Sequence, residues 1–358
     1  MKQRKPIWKK VLLGIGVFLL TVLVLAAALI GYLTVTEYRP PAVLSLPLAQ
    51  SETAEVFSGT ELTVVTLNTG YCGLGRESDF FMDGGEQVRP KSRDYVRTNL
   101  AGVTAILKRE DADVYFLQEV DQDSKRGYGV DQAAHYPQAL GLGSAYALNY
   151  RCNYVPYPLP TIGKVYSGIQ TLSAYRMDNA ERVKLPSPFS WPVSTANLKR
   201  CLLVTRLPIA GSDRQLVLVN LHLEAYDDGE GKLAQTRMLW ALLTEEYEKG
   251  NYVIAGGDFN QTFPGAAEAW PLPEDAAWKP GALEEALPDG WRYAYDLAAP
   301  SCRSLQMPYD PDCSEMLYYG IDGFILSPNL AVKEVKTLQE DFAYTDHNPV
   351  RLTVSLLP

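Results

Sequence analysis

The stretch NYVIAGGDFN, residues 251–260, decides how this chain is read. Tyr252 to Ala255 form an apolar run of strand length, two glycines follow, and the run ends on Asp258 and Asn260. An acid after a strand is usually a turn residue, and Gly-Asp-x-Asn also suits an Asx turn. The same construction recurs along the chain, however. LTVVTLN (62–68) ends on Asn68, and DVYFLQEV (113–120) carries Glu119 near its end. VNLHLEA (219–225) holds His222, GIDGFILS (320–327) holds Asp322, and TDHNPV (345–350) sets Asp346 and His347 before a last apolar strand. The chain has three histidines and two stand at such positions; His135, in QAAHYPQ, is assigned to the surface.

Further strand-like runs are SAYALNY, CLLVTRL and VRLTVSLL. Helical spacing appears at Val96, Leu100, Val103 and Leu107, and again at Leu239, Leu242, Leu243 and Tyr247. Many strands with few helices between them predict an α+β fold, two sheets packed together with helices outside.

Val11 to Leu33 contains no charged side chain, and as a helix it would reach roughly 35 Å, enough to cross a bilayer. Lys2, Arg4, Lys5, Lys9 and Lys10 precede it. The length favours an uncleaved transmembrane helix over a cleaved secretory signal, the alternative. The basic block predicts a single-pass plasma-membrane protein with its body outside the cytoplasm. The expected organisation is a basic cytoplasmic segment (1–10), the anchor (11–33), a tether (34–60) and one catalytic domain (61–358). Pro40, Pro41 and the Ser/Thr content of 34–60 argue against packing and suggest a spacer that lifts the body off the membrane.

Beyond the anchor, 28 of the 33 basic residues face all 42 acidic ones, a net of −14. Such a body gains nothing from the counterion release behind bulk nucleic-acid binding. The five cysteines form no CxxC pair, which disfavours zinc. Cys302 and Cys313 flank a loop rich in Pro, Asp and Ser, and in an oxidising compartment a bridge there would contribute roughly 3 kcal/mol; free, buried thiols are the alternative.

Burying several carboxylates costs several kcal/mol per ion without a compensating cation. Strand ends carrying Glu, Asp, Asn and His therefore describe a hard-cation site, for which magnesium is the first choice and manganese the second. The ordered motifs TLNTGY, FLQEVD, LVNLHLEAY, VIAGGDFNQ, IDGFILS and TDHNPV resemble those of the endonuclease/exonuclease/phosphatase superfamily, from about Glu61 onward. That superfamily includes deoxyribonuclease-I-like nucleases, neutral sphingomyelinases and inositol-polyphosphate phosphatases. The resemblance implies a four-layer α/β/β/α sandwich with the site at one edge. It implies Glu119 as principal metal ligand with Asn68 beside it, and Asp346 as a further metal contact. Asp258 would orient or deprotonate the attacking water, and Asn260 would hold a phosphate oxygen. His347 would engage the scissile phosphate, with Asp322 fixing its tautomer, and His222 would protonate or stabilise the leaving oxygen.

The expected activity is hydrolysis of a phosphodiester, on a lipid headgroup, an envelope component or another small phosphoester. An extracellular nuclease acting on DNA or RNA and a catalytically silent binding module are the alternatives. No protein partner is implied. The Tyr-dense NYRCNYVPYPLPTIGKVYSG (149–168), with Arg151 and Lys164, reads either as a substrate-receiving loop or as aromatics packed on the sheet. Trp191 stands as a rim or packing residue, and Arg200 as a side chain able to reach a phosphate.

Overall fold

In the computed structural model, residues 7–49, 54–227, 229–283 and 287–357 are described; Lys2, Arg4 and Lys5 lie outside them. Two seven-stranded sheets stack face to face. The first runs β1 (Val43–Ser45), β7 (Asn179–Lys184), β8 (Cys201–Pro208), β9 (Gln215–His222), β10 (Tyr252–Asp258), β12 (Asp322–Leu326) and β11 (Arg292–Ala294). The second runs β13 (Leu330–Thr337), β14 (Val350–Leu356), β3 (Glu61–Asn68), β4 (Val114–Asp121), β6 (Gly163–Ser173), β5 (Gly143–Val155) and β2 (Leu48–Ala49).

The central strands are apolar on both faces because both faces are covered. In β3, Leu62 and Val64 meet Leu218, Ile254 and Phe324 of the opposite sheet in the inter-sheet core. Val65 and Leu67 point the other way, onto helix α2 (Arg93–Glu110) through Val96, Leu100, Val103 and Leu107. Helix α3 (Gln132–Leu140) adds Ala133 and Tyr136 to that layer. Behind the first sheet, Val217, Val219 and Val253 pack on Leu239 and Leu243 of helix α4 (Glu230–Glu248). The chain is thus an α/β/β/α sandwich, as expected.

Helix α1 spans Ile7–Val35, six residues longer than the uncharged run, and is long and apolar enough to cross a membrane. The segment expected as a tether is not a spacer. Its β1 pairs with β7 and its β2 with β5, one strand on an edge of each sheet. Val56 is fully buried and bridges Ile209. Pro40 and Pro41 precede β1, so neither removes a ladder donor, and edge strands this short need little apolar sequence. The Cys302–Cys313 bridge is likewise not formed: both thiols are free, Cys302 directed at the Arg303 carbonyl and Cys313 at the Met307 sulfur. His135, expected on the surface, is half-buried, its Nε2 3.0 Å from Thr104 Oγ1.

Candidate active site

Sheet register assembles the first part of the site. β10 runs parallel to β9 and antiparallel to β12, so Asp258 stands directly between His222 and Asp322. The two glycines before it are dictated by crowding. Gly257 has φ +148, and a Cβ there would lie 2.0 Å from the Leu221 carbonyl oxygen. A Cβ on Gly256 would lie 2.4 Å from the Phe324 ring. Past the strand, Asn260 takes a left-handed φ of 50°, which Asn tolerates better than most residues. Its amide N–H donates to Asp258 Oδ1 at 2.9 Å and its side chain donates to the Leu223 carbonyl.

The second sheet supplies Asn68 and Glu119. Glu119 sits at a β-bulge, where the pairing of β4 with β6 shifts between Leu117 and Val120, and has φ 53°. The bulge turns its carboxylate off the strand's alternation and toward Asn68, whose amide reaches it at 3.3 Å. The same amide donates to Asp258 Oδ2 at 3.0 Å, joining the two sheets across their ends.

The loop before β14 supplies the rest. His347 Nδ1 lies 2.8 Å from Asp322 Oδ2, and its Nε2 lies 3.9 Å from Asp258 Oδ2. His222 Nε2 approaches the same Asp258 oxygen at 3.5 Å. Asp346 accepts from the Thr345 hydroxyl, and that hydroxyl also reaches the Asn68 carbonyl. Of the strand-end residues singled out from the sequence, all line one cleft of about 390 Å³ except Asp322, which stands behind His347; Arg151, Lys164 and Trp191 do not line it.

The electrostatics follow from burial. Desolvation raises the pKa of Glu119 and Asp346, and it pushes Asp258, with Asp322 adding repulsion, to about 7. Burial would lower His347, but the Asp322 carboxylate, through its charge and its hydrogen bond, outweighs it and holds the imidazole well above its usual value. His222 is driven well below the usual value by burial and by Arg200. Among the described residues, one oxygen of Asp322 and Nδ1 of His222 are buried without a partner. A carboxylate-rich, under-neutralised pocket of this kind suits a hard divalent cation. Cys302, although close to Asp346 and His347, fits such an ion poorly, since burial lifts its thiol to about 12 and keeps it protonated.

Several residues in and behind the cleft were not evident in the sequence. Ser301 Oγ donates to Asp322 Oδ2 at 2.7 Å and receives the Ile321 and Asp322 amides, which holds the carboxylate that holds His347. Arg126 pairs with Asp121 at 2.9 Å and lies 3.8 Å over the Tyr71 ring, bringing positive charge toward Glu119. Tyr226 reaches Asp83 at 3.0 Å across the mouth. Arg200, by contrast, was singled out from the sequence, and it lines the cleft, fixed by Glu224 and the His222 carbonyl.

Residues 66–354 match the model of the Endonuclease/Exonuclease/phosphatase family. The chain belongs to that family. Its fold is also that of solved relatives. An endonuclease/exonuclease/phosphatase from Beutenbergia cavernae superposes with TM-score 0.57 at 17% identity, covering 83% of this chain and 72% of that one. ANGEL2, a 2′,3′-cyclic phosphatase solved with adenosine-2′,3′-vanadate, gives 0.54 at 15% identity, covering 87% and 99%. A functionally unknown conserved protein from Enterococcus faecalis gives 0.53 at 15% identity, covering 82% and 100%. No curated protein sequence matches the chain.

Proposed function

We propose that the protein is a divalent-cation-dependent hydrolase of phosphodiesters, anchored in the plasma membrane by α1 with its body on the outer side. The observation that carries the reading is the convergence on Asp258 Oδ2 of Asn68, His222 and His347, side chains from both sheets and the last loop. Glu119, Asn68 and Asp346 are the residues to hold the ion, Mg²⁺ in the first place and Mn²⁺ in the second. When bound, it would neutralise phosphate charge and polarise the P–O bonds. Asp258, whose pKa burial and the Asp322 charge raise, is suited to accept a proton from an in-line water. His347, held cationic with Nδ1 turned to Asp322, offers its Nε2 proton to a phosphate oxygen. His222 and Asn260 provide neutral donors, His222 toward the leaving oxygen and Asn260 toward the phosphate. Every polar position expected of the site is filled, which supports a working enzyme over a silent binding module.

The test is hydrolysis of bis-p-nitrophenyl phosphate by the full chain in detergent, with Mg²⁺ and with EDTA. Turnover is expected to vanish on chelation and return with Mg²⁺, and His347→Ala is expected to lower it about 10²–10⁴-fold. Activity indifferent to EDTA would overturn the metal reading.

A further inference from the structure

The cleft and the seat of α1 share a wall. Leu33, in the last turns of α1, is buried against Tyr150 and Val165, with Ile162 and Leu198 packed around it. Tyr150, Ile162 and Leu198 also line the catalytic cleft. The helix end is pinned beside that wall: the Trp191 indole donates to Thr34 Oγ1 at 3.0 Å, and Lys199 pairs with Glu37 at 2.7 Å.

Length then fixes where the body sits. Residues 7–28 of the helix are exposed throughout, and those from Val11 on carry no charge. At about 1.5 Å per residue, 11–28 span roughly 27 Å, against a hydrocarbon core of about 30 Å. No helical length is left over to hold the body away from the bilayer. Apolar side chains are exposed on the two loops that build the shared wall. Leu159 and Tyr157, on the β5–β6 turn, are 84% and 70% exposed. Trp191 and Val193, on the segment before β8, are 61% and 57% exposed. Trp191, bonded to the helix end, and the exposed apolar residues of these two loops have the composition of a bilayer-interface belt. The Tyr157 ring also meets Phe81 at 6.1 Å, and the adjoining Met82 lines the cleft, so the turn stands at the cleft rim.

We propose that the cleft opens onto the bilayer that α1 enters, and that its substrate is a membrane phosphodiester lipid. The headgroup phosphate reaches Asp258 and His347, while the lipid portion leaves along Ile162 and Leu198 toward the helix base. Water adds its oxygen to phosphorus, one P–O ester bond breaks, and the departing alcohol oxygen takes up a proton. The inference rests on the phosphodiesterase reading above and adds the substrate class and the direction of entry.

Three measurements on the full chain separate the two. The chain is reconstituted into vesicles of phosphatidylcholine with phosphatidylglycerol, and in a second set with sphingomyelin, and lipid turnover is compared with turnover of bis-p-nitrophenyl phosphate. A Leu159→Asp/Trp191→Asp double variant, both positions exposed and remote from the polar centre, is expected to lose roughly tenfold or more of the lipid rate and to keep the soluble-ester rate. Independently of any chemistry, lipids brominated in the acyl chain near the headgroup are expected to quench a part of the tryptophan emission that Trp191→Phe removes. Soluble-ester turnover with no lipid hydrolysed in either set, or with the double variant equal to wild type on lipid, overturns this inference and leaves the phosphodiesterase reading standing. Failure on both esters with every divalent ion overturns both. Absence of Trp191-dependent quenching overturns the membrane-facing rim, and if the reconstituted protein is then dimeric, a second copy covers it.

Discussion

Glu119 is the residue at which this fold stores cost for the sake of its site. A non-glycine φ of 53° is worth about 1–3 kcal/mol, and the carboxylate it turns inward is desolvated and repelled by Asp346. The charge of Arg126, the Asn68 amide and the charge of His347 offset this in part. Glu119→Gln keeps the shape and removes the charge. In EDTA it is expected to raise the melting temperature, by the equivalent of about 1 kcal/mol, because no buried charge is left uncompensated. With Mg²⁺ it is expected to lower phosphodiester turnover about 10³-fold. A variant that loses stability in EDTA would show that Glu119 serves packing rather than an ion. Residues of this kind were legible in the sequence because an acid at the end of an apolar strand contradicts its surroundings. Ser301 was not, since a serine in a Pro-Ser-Cys loop contradicts nothing, and its partner Asp322 lies 21 residues away. Arg126 was hidden in the same way, in a loop already rich in charge.

At the scale of elements, the two sheets are clamped just below the site by amides rather than by apolar contact. Gln118 Nε2 donates to Asn220 Oδ1 at 2.8 Å, while Asn220 Nδ2 reaches the Leu117 and Gln170 carbonyls. All are fully or almost fully buried, and they tie β9 to β4 and β6 across the sandwich. Asn220→Leu would leave a buried donor and two carbonyls short of partners. It is expected to cost about 2–4 kcal/mol in denaturant unfolding, with the midpoint shifted and the slope unchanged. A loss near the ordinary ±0.5 kcal/mol of a neutral substitution would show that the clamp is dispensable. The central strands β3, β4, β9 and β10 were readable because strands covered on both faces are continuous apolar runs. β7 and β13 lie at or near sheet edges and alternate with charged residues, so their apolar content is too thin to signal a strand. α3 escaped for another reason: nine residues with Pro137 inside give too few turns for a helical period to show.

For the whole molecule, the segment after α1 matters more than its composition implied. Pro, Ser and Thr between residues 34 and 60 suggested a spacer, yet Glu37 pairs with Lys199, Tyr38 stacks on the Arg151 and Arg182 guanidinium groups, and β1 and β2 cap one edge of each sheet. Composition reports whether a segment could form a core of its own; it is silent on whether an existing sheet edge will capture it. Two shortened chains separate the readings. A chain begun at Glu37 keeps β1, β2 and Val56, whereas one begun at Glu61 loses all three and uncovers the β7 and β5 edges. Uncovered edges invite pairing with other chains, and each lost kcal/mol lowers the melting point of a domain this size by roughly 2–4 °C. The chain begun at Glu61 is therefore expected to melt at least about 5 °C below the one begun at Glu37 and to self-associate on gel filtration. Equal melting points and equal monomer fractions would restore the spacer. They would also weaken the case that the body is held rigidly at the bilayer surface, because that case depends on the same stretch of chain running from helix to sheet without slack.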